Sequence, residues 1–180
     1  LARHGIARLY EHRIVEKTAE RVTFELSDSA ETWSAYPYHF VLNMTYAVED
    51  GILTQRYQVR NTGSVDLPFV LGGHPAFKVP VPKNNGSELT DYELAFTRAW
   101  TSLGPSITPD VLCDFEHPQR VITDSDSLPL SWELFDRELT LTLQDVPDRR
   151  VALLPREISR GTHGVELTFE GFDYLGVWCA

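Results

Sequence analysis

A chain of 180 residues, 42% of them hydrophobic, suffices for one domain with a sizeable core, and no apolar run approaches the ~18 residues of a membrane span. A formal net charge of −10, from 26 acidic and 16 basic residues, argues against nucleic acid or an anionic membrane surface as partner, because both demand basic patches. The two cysteines, Cys113 and Cys179, are too few for a secreted disulfide scaffold and too far apart for a thiolate metal site. They read as reduced, buried thiols of a cytoplasmic protein.

The opening LARHGIARLY shows no charged-then-apolar leader and starts in mid-pattern without methionine, as expected of a segment that begins inside a longer protein. RVTFEL (21–26) alternates apolar and polar residues, which predicts a half-buried strand, and the polar SDSAET follows it. YHFVLNMTYAV (38–48), the turn residues EDG and ILTQRYQVRN (52–61) together predict a hairpin. A loop at 61–68 leads to FVLGG (69–73), expected as a short apolar strand. Residues 78–90, with three prolines and NNGS, are expected as a surface loop. DYELAF (91–96) alternates, and 101–118 mixes Gly, Pro, Asp and Ser, which predicts a long irregular connection. One helical turn is expected around LSWELF (130–135). ELTLTLQDV (138–146), RRVALLP (149–155), GVELTFEGF (164–172) and LGVWCA (175–180) read as closing strands. The expected fold is all-β and a single domain of roughly nine to eleven antiparallel strands, a sandwich or barrel.

No dinucleotide-binding, P-loop, HExxH or CxxC motif is present, and none of the six histidines pairs with another at a spacing that makes a compact metal site. His74 stands out. It follows Gly72-Gly73, which permit a sharp turn or a close ligand approach, and it precedes Pro75, which pushes it into extended backbone. An imidazole so held is either a pre-positioned general acid or base or a hydrogen-bonded turn histidine. His4, in RHGIAR, is either a solvated turn residue or a second ligand-facing ring. Trp33, Tyr36, Tyr38 and Phe40 read first as core and turn packing, and second as a platform for a sugar face. Asp136 and Glu138, in LFDREL, read as a solvated turn or as carboxylates that hold hydroxyls.

Taken together, RHGIAR (3–8), YPYHF (36–40), RYQVRNTG (56–63), GGHPAF (72–77), LPLSWELF (128–135) and FEGFDYLGVW (169–178) resemble, in order, the aldose 1-epimerases, closest to a bacterial branch with GGHPAF. The resemblance covers nearly the whole chain. It implies a large antiparallel β-sandwich of the galactose mutarotase-like type, with an open sugar-binding face and with N- and C-terminal parts lying outside this sequence. It implies interconversion of the α and β anomers of an aldohexose. His74 would be the general acid at the ring oxygen, and a glutamate would be the base at the anomeric hydroxyl. His4 would hold the sugar near its ring, and Asp136 or Glu138 would bind hydroxyls. The family's base glutamate follows the LG-x-W strand, and no residue here matches it; Glu166 and Glu170 are not substitutes. The alternative is a non-catalytic carbohydrate-binding or regulatory module on the same fold. No metal or organic cofactor is implied, the partner is a small neutral sugar, and a homodimer is the candidate assembly.

Overall fold

The computed structural model describes residues 4–79, 88–110, 112–138, 140–157 and 163–179, with the side chains of 136–138 outside that description. The chain forms two compact units, Leu1–Leu71 and Gly72–Ala180.

The first unit is an antiparallel meander of β1 (Arg13–Lys17), β2 (Arg21–Ser27), β3 (Phe40–Glu49) and β4 (Ile52–Asn61) in sheet order β1-β2-β3-β4. The EDG signal forms the expected hairpin. Glu49 pairs with Ile52, so Asp50 and Gly51 make a two-residue turn. Both have positive φ (50° and 78°), the left-handed pair that a primed hairpin turn requires. One turn of helix, α1 (Ala30–Trp33), bridges β2 and β3 and is closed by a capping box. The Ser29 side chain accepts from the Thr32 backbone N–H, and Thr32 Oγ1 accepts from the Ser29 N–H. Leu26, Phe40 and Leu42 form the core, packed by Ile6, Ala7, Tyr10, Tyr36, Met44 and Val59 among others.

The second unit contains a four-stranded antiparallel sheet in the order β6-β5-β8-β9. Its strands are β5 (Tyr92–Ile107), β6 (Cys113–Pro129), β8 (Arg150–Pro155) and β9 (Val165–Thr168). A two-stranded ribbon pairs β7 (Leu141–Gln144) with β10 (Tyr174–Val177). Tyr92 and Leu143 are fully buried and anchor a core with Leu94, Phe96, Ile122, Leu128 and Val151. At Gly104 a Cβ would fall 1.9 Å from the Thr142 carbonyl oxygen, so glycine is what lets β5 come this close to β7.

Three expectations are corrected. FVLGG is not a strand: Val70 is fully exposed and Phe69 is exposed, so this apolar run pairs with no strand among the described residues. Residues 101–118 are not a long irregular connection. β5 runs on to Ile107 and β6 begins at Cys113, with Thr108–Leu112 closing the turn. Pro105 is tolerated because it sits at a register shift between Gly104 and Ser106, where the ladder needs no donor. Cys113 is exposed, whereas Cys179 packs half-buried against the core. The helical turn expected at 130–135 is a 3-10 helix over Trp132–Glu138. Most of the loop expected at 78–90 lies outside the described residues. No helix among the described residues is long and apolar enough to cross a membrane.

Candidate functional site

His74 lies in the second unit on an exposed, non-strand segment that leads to Val79, which packs against that unit's core. Gly72 and Gly73 do not take positive φ, so the sharp left-handed turn they permit is not used. A Cβ at Gly72 would meet nothing within 4 Å, and the approach to this segment is open. The His74 ring meets Trp178 edge to face, with centroids 6.2 Å apart and planes at 81°. Trp178 directly follows β10 and continues its alternation of outward and inward side chains. Leu175, Val177 and Cys179 turn into the core, while Tyr174, Gly176 and Trp178 turn outward. His74 is thus an exposed residue with an aromatic ring at its side.

His4 belongs to the first unit and is exposed. Its φ is 67° and that of Gly5 is 69°, so two successive residues are left-handed. For a residue with a side chain this costs about 1 kcal/mol. The turn is anchored by Ile6 and Ala7, which pack on the core. The side chains of Asp136 and Glu138 lie outside the described residues; their backbone belongs to the 3-10 helix Trp132–Glu138.

The aromatic group of the first unit does the work of packing. Phe40 is in the core, Tyr36 meets Tyr38 and Phe40 at 4.9 and 5.4 Å, and the Tyr36 hydroxyl donates to the Pro68 carbonyl at 2.7 Å. Burial, with Tyr38 adding to it, pushes the Tyr36 phenol above its ordinary range.

Two arrangements escaped the sequence reading. Asp28 Oδ2 lies 2.8 Å from His39 Nδ1, and its Oδ1 accepts the Phe40 N–H at 3.0 Å. The His39 hydrogen bond, with help from the Phe40 N–H, holds this carboxyl below its usual range against the opposing effect of desolvation. Trp33 lies against the His39 ring, 4.8 Å between centroids. The second is the outward face of β10, whose signal was the alternation Tyr-x-Gly-x-Trp at 174–178. Glu166 is ion-paired with Arg150 across β8 and β9. Among the described residues no cluster of three His, Cys, Asp or Glu could hold a metal ion.

Residues 1–164 match the family model for aldose 1-epimerase. Two relatives, the plasmid and chromosomal forms of protein LacX from Lactococcus lactis subsp. lactis, are each 28% identical over 180 residues. The match covers 99% of this chain, which spans 58% of the length of those curated relatives. The crystal structure of a galactose mutarotase related enzyme from Lactobacillus acidophilus superposes with a TM-score of 0.88 at 24% identity, covering 99% of this chain and 57% of that one, and shows the shared fold. A galactose mutarotase-like protein from Lactobacillus casei gives a TM-score of 0.80 at 28% identity, with 99% and 59% covered.

Proposed function

Because the chain belongs to the aldose 1-epimerase family, we propose that it supplies machinery for interconverting the α and β anomers of an aldohexose. The observation that carries this reading is His74, an exposed imidazole on GGHPAF with a tryptophan ring at its side. In the proposed reaction the His74 imidazolium gives its proton to the ring oxygen while a carboxylate base takes the anomeric hydroxyl proton. The C1–O5 bond breaks and the C1 aldehyde forms. The C1–C2 bond then rotates, and reclosure on the other face returns both protons. His4 would hold the sugar near its ring, and Asp136 or Glu138 would bind hydroxyls. The base is assigned to no residue of this chain. Glu166 already serves Arg150, and Glu170 lies on an exposed bend.

Polarimetry on freshly dissolved α-glucose and α-galactose tests the reading. The protein should speed equilibration, and His74→Ala should cut that acceleration by about 10²–10⁴-fold, the usual worth of general acid catalysis. Equal rates from both would remove His74 from the role. A second reading is a sugar-binding module without turnover on the same fold. It predicts that a sugar raises the melting temperature while anomers equilibrate at the spontaneous rate.

A further inference from the structure

We propose that copies of this chain join edge to edge, β4 of one running parallel to β9 of another, with Arg56 opposite Glu166 and Arg60 opposite Glu170. The proposal does not rest on the sugar reading above. It assigns a self-association surface to two strands that end separate sheets.

The condition of the edges carries the first step. Each four-stranded sheet has two end strands: β1 and β4 in one, β6 and β9 in the other. Register shifts interrupt β1 and β6, and such irregularity blunts an edge against further pairing. The ladders of β4 and β9 carry no shift, and neither strand contains proline. Among the described residues no strand pairs with the outer side of either sheet end.

Hydrogen-bond parity sets the direction. Thr62, just past β4, donates to the His39 carbonyl, so the even-numbered residues of β4 bond toward β3 and the odd-numbered backbone turns outward. Phe169, just past β9, donates to the Arg149 carbonyl, so there the even-numbered backbone turns outward. The side chains divide by face. Val59, Leu167 and Phe169 are half-buried on their own cores, while Arg56, Gln58, Arg60, Glu166, Thr168 and Glu170 are exposed. An antiparallel pair sets two outward-bonding residues opposite each other, which would press Val59 against Thr168 or a glutamate. A parallel pair sets an outward-bonding residue opposite an inward-bonding one, so Val59 meets Phe169 and Gln58 meets Thr168. The Val59 N–H then donates to the Thr168 carbonyl, and the Val59 carbonyl accepts the Glu170 N–H. Parallel neighbours need a long crossover within one chain and none between two chains.

Charge selects the occupant. Arg56 and Arg60 are four residues apart, as are Glu166 and Glu170, so one register brings both pairs into line at about 13 Å spacing. Among the described residues Arg56, Arg60 and Glu170 have no ion pair, and Glu166 holds Arg150 on its inner side. A shift by two residues would leave one charge of each pair unmatched, so the charges fix the register that the backbone bonds allow.

The test follows the molar mass of the full 180-residue chain by sedimentation equilibrium over a concentration series. The wild type should associate as concentration rises, and less so at high salt. Arg60→Glu or Glu170→Arg alone should weaken association about tenfold, and an equimolar mixture of the two variants should restore it. Val59→Pro removes only an outward N–H, so it should abolish association while leaving the melting temperature near that of the wild type. Should the proline unfold the sheet, the two exposed charge reversals carry the test by themselves. A wild type that stays monomeric, even one whose β4 accepts an added acidic peptide, would overturn the proposal. So would association that survives the single reversals, or a mixture that associates no better than its parts.

Discussion

Asp28 grips His39 and the chain beside it at once: one carboxylate oxygen lies 2.8 Å from His39 Nδ1, and the other accepts the Phe40 N–H at 3.0 Å. This clasp fixes the entry to β3, where Phe40 drops into the first unit's core. The folded state holds the Asp28 carboxyl below its ordinary value of 3.8. Its contribution to stability is therefore complete above that value and is lost as pH falls through the lowered folded value. Asp28→Asn should cost about 1 kcal/mol near neutrality and flatten the acid limb of the stability curve. Urea melts of both proteins across the acid range decide it; parallel acid limbs would show that Asp28 does not drive the limb.

Gly104 and Gly72 should answer differently to the same change. A methyl group at 104 collides with the Thr142 carbonyl, whereas at 72 it meets nothing. Gly104→Ala should destabilise by about 3 kcal/mol, at the upper end for overpacking, while Gly72→Ala should stay within about 0.5 kcal/mol. Chemical denaturation of the pair, at equal m-value, measures the contrast.

Glu166 offers a separate check on the proposed chemistry. It is roughly half exposed and ion-paired with Arg150, so Glu166→Gln should change stability by less than about 1 kcal/mol. It should leave the mutarotation rate where it was. A fall of about a hundredfold or more in polarimetry would make Glu166 the missing base.

The two thiols should separate by rate. Cys113 is exposed on β6, and Cys179 is half-buried against the second unit's core. An aromatic disulfide reagent should label one equivalent quickly and the second slowly, and Cys113→Ser should delete the fast phase. Two equal rates would contradict the burial seen at Cys179.

What the sequence made legible follows from what each segment buries. The β3–β4 hairpin was readable because Asp50 and Gly51 sit between two alternating runs, and that chemistry admits few other turns. β1 was not read, because all five of its residues are exposed and an edge strand without a buried face leaves no alternation to detect. β5 was read too short and β6 was not read, because Gly104, Pro105 and Pro118 look like breakers while register shifts absorb them. His74 was legible through its glycines and proline. Its contact with Trp178 was not, since only the fold brings those two positions together. The Asp28–His39 clasp was hidden for the same reason, as eleven positions and a helical turn separate its partners.

The tip of the β3–β4 hairpin has one consequence for chirality. Asp50 and Gly51 both occupy backbone territory that is natural to mirror-image amino acids. A semisynthetic chain with a D-residue in place of Gly51 would have less freedom to lose on folding and no steric penalty at the turn. The same residue in its L form would resist the bend. Handedness at a single atom would thus bear on how readily β3 and β4 pair in register.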